Sequence, residues 1–241
     1  MTALAADLET APIVRRDFPS SESLAEAFAE WSASLLQEAV AAHGEATFIV
    51  SGGKTPELYF ERLSHQDIDW SRVNVTLADE RRVSENSPRS NAKLVREHLL
   101  QNRAAEARFA PLADNRLSPD QELAAAQARI ASLPLPADLV VLGMGDNGHT
   151  ASWFPGGDNL EAAINPGERA LVLPMNAPDA AEPRLTLTAR VILRAQAIAL
   201  HIAGEEKRAV LKKALGEGPA EELPIRAVLR GAPEKLTIFE T

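Results

Sequence analysis

Apolar positions recur at two different spacings along the chain, and the alternation between them lays out its elements. Leu24, Phe28, Trp31, Leu35, Leu36 and Val40 fall three or four residues apart or side by side, the spacing of a helix with one apolar face. Serines precede this run and Gly44 follows it, which predicts a capped helix ending at that glycine. ATFIVS (46–51) is a short β-branched and aromatic run that stops at Gly52 and Gly53, the pattern of a buried strand. Pro56 opens PELYFERL as a first-turn proline, with Thr55 as its N-cap. VNVTLA (73–78) is a second strand, and SNAKLVREHLLQ (90–101) a helix after the Pro88 turn. An alanine-rich helix over 119–132 leads into ADLVVLGMG (137–145), the clearest buried strand. ALVLP (170–174), RLTLT (184–188) and AIALHIAG (197–204) are further strands. EEKRAVLKKAL (205–215) and IRAVLR (225–230) are helices, and LTIFE (236–240) is a closing strand. Strands alternating with helices predict an α/β protein with a mostly parallel sheet and helices on both faces. In such sheets ligands sit beyond the carboxyl ends of the strands. Four strand ends therefore matter: 51–56, 79–83, 143–150 and 204–207.

Composition narrows the class. A chain of 241 residues suits one α/β domain spanning 1–241, or at most two small ones, and a core of that size needs no disulfide or metal to fold. The absence of cysteine removes disulfide frameworks, thiolate metal sites, iron–sulfur clusters and thiol nucleophiles. With 25 basic against 34 acidic residues the net charge is −9. That argues against nucleic-acid or membrane partners, which need a cationic footprint, but leaves room for a local basic pocket. No apolar run approaches the ~18 residues of a membrane span. Residues 1–16 carry Asp7 and Glu9 and no basic stretch before an apolar one, so no secretory signal is expected. The expectation is a cytoplasmic globular protein.

Each strand end carries candidate chemistry beside a plainer reading. SGGKTP (51–56) puts two glycines between a strand and a helix start. There the backbone can approach an anion, and unpaired N–H groups and the helix dipole favour it. Ser51, Lys54 and Thr55 add donors; the plain alternative is an ordinary turn. The string GKT does not make an ATP loop, because Phe48 stands where that loop needs glycine. Asp79, Glu80, Arg81 and Arg82 form either a solvated charged face or, at a strand end, an arginine suited to phosphate and an Asp79 that accepts from sugar hydroxyls. Ser90 and Asn91 either cap the next helix or reach the same cleft.

GMGDNGHT (143–150) matches G-x-G-x-x-G in form. It lacks the following helix, because Pro155, Gly156 and Gly157 interrupt it, and Glu168 precedes the next strand where an acid should end it. Nicotinamide binding is therefore not expected. His149 on this glycine loop is the side chain suited to act as a base near neutral pH. His43, His65, His98 and His201 are scattered, and none has metal-ligand spacing with another, so no metal site is expected. Arg184 begins a late strand. Lys207 lies in the first turn of a helix, where it opposes the dipole unless an anion binds there.

Taken together, SGGKTP, ADERRV (78–83), SN (90–91), GMGDNGHTASWFPG (143–156), RLTLT and GEEKRAVL (204–211) resemble the 6-phosphogluconolactonase family, related to glucosamine-6-phosphate deaminases. The resemblance spans nearly the whole chain, and GHTAS followed by FPG is its specific part. It implies a doubly wound, Rossmann-like three-layer sandwich, with no metal and no cofactor. It also implies hydrolysis of 6-phospho-D-glucono-1,5-lactone by water under histidine assistance. The family's histidine falls on His149, its glycines on Gly52 and Gly53, its arginine on Arg81 and its late lysine on Lys207. Where the family has Asp before Gly148-His149, this chain has Asn147, which leaves Asp146 or a backbone carbonyl to orient the histidine. The expected catalytic set is thus His149, Asp146 and Arg81. Ser51, Gly52, Gly53, Lys54, Thr55, Asp79, Gly148, Arg184 and Lys207 are expected to bind a sugar-phosphate lactone, in a monomer or homodimer. The rival readings are an amino-sugar-phosphate deaminase, disfavoured by Phe154 five residues after the histidine where that family has an acid, and a non-catalytic sugar-phosphate binder. Trp153 is expected to be a partly exposed loop residue.

Overall fold

The computed structural model describes residues 13–241; Asp7 and Glu9 lie outside that range. Ten strands and eight α-helices are described: β1 (Val14–Asp17), α1 (Ser21–His43), β2 (Ala46–Val50), α2 (Glu57–Ser64), β3 (Val73–Leu77), β4 (Asp79–Arg81), α3 (Asn91–His98), β5 (Arg108–Ala110), α4 (Pro119–Ala131), β6 (Leu139–Leu142), α5 (Leu160–Ile164), β7 (Val172–Met175), β8 (Arg184–Leu187), α6 (Ala189–Ile192), β9 (Ala197–Ile202), α7 (Glu205–Leu215), α8 (Ile225–Gly231) and β10 (Leu236–Glu240). Seven strands form one sheet in the order β1-β10-β9-β6-β2-β3-β5, and every pairing in it is parallel. Helices pack around this sheet. The inner strands β2, β3 and β6 are buried along their whole length, so the continuous apolar runs that encode them are what a parallel sheet covered on both faces requires.

The first long helix follows its sequence signals closely. The Ser20 side chain accepts from Ser23 N, and Gly44, at φ +82°, closes the other end by donating to Val40 O. Its fully buried face is set partly by small residues, Ala25, Ala29, Ser32 and Ala33, which let it lie close; Trp31, Leu35 and Val40 are only half-buried at its flank. α4 carries a capping box of Ser118 and Gln121. In α2 the cap is Pro56, without a side-chain hydrogen bond, in place of the expected Thr55.

Two features depart from the sequence expectation. ALVLP and RLTLT do not join the parallel sheet: β7 and β8 pair antiparallel, and β4 adds to β8, making a separate three-stranded sheet. Alternation of strand and helix cannot distinguish these cases, because strand direction is set by the partner. The edge strands β1 and β5 were not expected either. β1 reads VRRD and is exposed throughout, held by its ladder with β10 and by the ion pair of Arg15 with Glu240. No described helix is long and apolar enough to cross a membrane.

The order of strands fixes the site. From β2 the chain proceeds outward through β3 to β5, then returns to β6 on the other side of β2. The crevice at the carboxyl ends of β2 and β6 is thus the topological switch point, where ligands bind in open α/β sheets.

Candidate active site

A cavity of about 270 Å³ opens at that switch point. Ser51 to Pro56 line one side, after β2; Gly143, Met144, Gly145 and His149 line another, after β6. Asp79, Arg81 and Asn91 come from β4 and α3, Arg184 from β8, and His201 and Lys207 from β9 and α7. Lys54, Arg81, Arg184 and Lys207 face a single lining carboxylate, Asp79. A chain of net charge −9 therefore concentrates positive charge where the strands end, as an anionic ligand requires.

The β2–α2 loop is built for such a ligand. Gly53 takes φ +98°, a conformation that favours glycine. None of the backbone amides of Gly52, Gly53, Lys54 and Thr55 donates a hydrogen bond within the described residues. Free amides in a glycine turn before a helix form an anion cradle. Gly52 has a second reason to be glycine: a Cβ there would lie 1.8 Å from Asn91 Oδ1. Asn91 in turn accepts from Arg81 Nη1 at 2.7 Å and donates to Asp79 O at 2.9 Å.

The facing wall shows why the charged run at 79–82 is no solvated face. Asp79 and Glu80 are buried in β4. Alternation along the strand sends Asp79 and Arg81 to the cavity, while Glu80 turns to the start of α3. There Glu80 accepts from the amides of Asn91 (2.8 Å) and Ala92 (2.7 Å). Burial raises the Glu80 pKa, and those backbone donors oppose the shift. Asp79 accepts from Ser152 Oγ and lies 3.6 Å from Arg184; burial lowers the Arg184 pKa, and Asp79 counters this. Ser51 Oγ, Arg81 Nε and Arg184 Nε are buried and make no hydrogen bond among the described residues. Such unspent polar atoms around one cavity suit a polar ligand.

His149 is half-buried, its ring stacked on Phe154 with centroids 4.2 Å apart, and the Arg184 guanidinium lies 4.9 Å from the centre of the Phe154 ring. Its pKa is pushed down to about 4. Burial is the main cause; Asp79 opposes it, Arg184 and Lys207 reinforce it, and Asp146 opposes it weakly. The imidazole is therefore neutral at physiological pH, ready to accept a proton. Nδ1 lies 2.6 Å from Asn147 Oδ1, which also accepts from the His149 amide at 3.2 Å, while Asn147 Nδ2 donates to Asp179 Oδ2 at 3.1 Å.

Most expected residues converge on the cavity: His149, Arg81, Ser51, Gly52, Gly53, Lys54, Thr55, Asp79, Arg184 and Lys207 all line it. Asp146 and Gly148 do not. Asp146 is exposed and pairs with Lys207 at 2.6 Å, and it is the neighbouring amide, Asn147, that contacts the imidazole. Gly148 serves the turn: at φ +74° its carbonyl accepts from Ile225 N at 2.9 Å. Trp153 is not partly exposed; it is fully buried and donates to Leu187 O at 2.8 Å. His201, which has no metal-ligand spacing with another histidine, is buried edge-on to Phe28 and Tyr59 and reaches the cavity wall, where burial pushes its pKa down to about 4. Asp179 lies 32 residues from Asn147, and no local sequence signal connects them.

Comparison with known proteins agrees with this geometry. The model of a family described as glucosamine-6-phosphate isomerases/6-phosphogluconolactonase matches residues 19–238. A 6-phosphogluconolactonase of Rhizobium meliloti (strain 1021) is 47% identical over 222 residues, covering 92% of this chain and 96% of the relative. One from Pseudomonas aeruginosa is 44% identical, covering 82% of this chain and 83% of the relative. Among solved structures, a 6-phosphogluconolactonase from Shewanella baltica OS155 superimposes with a TM-score of 0.89 at 42% identity, covering 95% of this chain and 97% of that one.

Proposed function

Because the chain belongs to the family of glucosamine-6-phosphate isomerases and 6-phosphogluconolactonases, we infer that it is an enzyme hydrolysing 6-phospho-D-glucono-1,5-lactone to 6-phospho-D-gluconate, a step of the oxidative pentose phosphate route. The observation that carries this reading is a neutral histidine on the same cavity as an unspent anion cradle. The cradle amides of Gly52 to Thr55, with Lys54, take the 6-phosphate, and Arg81 and Lys207 add charge from either side. His149 then faces the lactone end. It removes a proton from a water as that water's oxygen bonds to C1, and the carbonyl becomes an oxyanion. The amides of Gly145, Gly148 and His149 are already spent within their own turn, so stabilising the oxyanion falls to the cationic side chain beside the His149–Phe154 stack, Arg184. Collapse breaks the bond from C1 to the ring oxygen, which receives the proton from the imidazolium. The acid formed ionises, and the histidine returns to its neutral state. No oxidation state changes between lactone and acid, so the chemistry calls for no redox cofactor.

The deaminase reading has less support here, since Phe154 covers the imidazole with an aromatic face and offers no acid beside it. We place the activity in the cytoplasm with the other enzymes of sugar phosphates, on a single domain. No step requires a second copy, so a monomer or a homodimer serves equally. The test is hydrolysis of lactone generated in situ, measured above its spontaneous rate, beside ammonia release from glucosamine 6-phosphate. Accelerated lactone hydrolysis without ammonia is the expected result. Ammonia release without lactone turnover overturns the reading in favour of a deaminase, and tight phosphogluconate binding with neither activity overturns it in favour of a binder.

A further inference from the structure

The contacts of Asn147 fix more than a position. Its Oδ1 accepts from the backbone N–H of His149, a group that can only donate. Its Nδ2 donates to Asp179 Oδ2, a carboxylate oxygen that accepts. Flipping the amide would set donor against donor at one end and acceptor against acceptor at the other, so its orientation is determined from both sides. The ring nitrogen 2.6 Å from Oδ1 must then carry a proton. We propose that Asp179 and Asn147 act together as a positioning pair that holds His149 as its Nδ1–H tautomer and leaves the Nε2 lone pair to take the proton from water. This rests on the reading of His149 as the base of the lactonase.

The pair divides a job that a single carboxylate next to the imidazole would otherwise do. A carboxylate orients the ring and also raises its pKa; a neutral amide orients it without that charge, and the anion sits one residue further out. The charged groups facing the ring remain Asp79 on β4, Arg184 on β8, Lys207 on α7 and Asp146 on its own loop. Asp179 belongs to the β7–β8 connection, between Pro178 and Pro183. The segment that ends at Arg184, itself in the cavity wall, thus also supplies the anchor.

The pair predicts a reversal between variants. Asn147→Asp sets two carboxylates against each other, loses the anchor and falls in kcat by about tenfold or more. Asn147→Asp with Asp179→Asn restores a donor for the new carboxylate. It should recover at least threefold over the single variant, with the acid limb of its pH profile moved upward because an anion now touches the imidazole. Asp179→Ala should lower kcat several-fold with KM little changed. Independently of activity, 15N NMR of the histidine ring in the free protein at neutral pH should show the proton on Nδ1. An Nε2–H ring in the wild type, or a double variant no better than Asn147→Asp, overturns the proposal, as does an Asp179→Ala enzyme with wild-type kcat. If the wild type shows the Nδ1–H ring but hydrolyses no lactone, the lactonase reading fails and the pairing stands as a feature of some other reaction.

Discussion

At the scale of single residues, the central fact is that His149 is kept neutral by where it is packed. Its pKa of about 4 means that protonation, and with it loss of the proposed base, sets in only as pH falls through that value. A solvent-exposed histidine would already be half-protonated at about 6.5. The packing depends on a missing side chain: a Cβ on Gly145 would lie 2.0 Å from His149 Cε1. Gly145→Ala should therefore displace the ring and lower kcat by about 100-fold, within the range that general base catalysis contributes, with the circular dichroism spectrum unchanged. Activity within threefold of wild type would contradict the placement. The histidine was legible in the sequence because a glycine loop at a strand end is a poor place for a core residue. Its partner was not. Asp146 and Asn147 are adjacent, and only the path of the turn decides which one reaches the imidazole and which one reaches Lys207.

Short elements carry much of the site, and their legibility varied with how local their cause is. β4 has three charged residues and no apolar period, so nothing in DER announces a buried strand; its burial comes from pairing with β8 and from the α3 amides held by Glu80. The limits of α7 were legible, since Gly204 and a helical period bracket it, but what anchors it was not. The buried Arg226 guanidinium donates to the carbonyls of Lys213 (3.2 Å), Ala214 (3.3 Å), Glu217 (2.6 Å) and Pro219 (3.0 Å), closing the carboxyl end of the helix whose first turn presents Lys207. Removing a buried donor from several carbonyls costs about 3 kcal/mol. Arg226→Met should therefore lower the melting temperature by about 6 °C or more and raise KM as Lys207 loses its support. A melting temperature within about 1 °C of wild type would show that the clamp contributes little.

For the whole molecule, the inner strands β2, β3, β6, β9 and β10 were read directly from apolar runs, because in a parallel sheet both faces are buried. The edge strands and the antiparallel sheet escaped because their pairing lies in distant partners. Even so, all four segments at which the sequence places strand carboxyl ends, where ligands gather in such sheets, contribute lining residues. Side chains of both sheets, among them Ile49, Val141, Val172 and Leu187, belong to one continuous core. Chemical denaturation should accordingly give a single transition, with tryptophan fluorescence and far-ultraviolet circular dichroism superimposed; two separated transitions would divide the proposed domain. The central claim, that a neutral His149 drives lactone hydrolysis at the switch point, is tested most directly by the turnover of His149→Ala on lactone generated in situ, after subtraction of the spontaneous rate. The account predicts a fall in kcat of about 100-fold or more with KM changed only a few-fold, since the phosphate cradle is untouched. A folded His149→Ala enzyme that keeps kcat within threefold of wild type would contradict it.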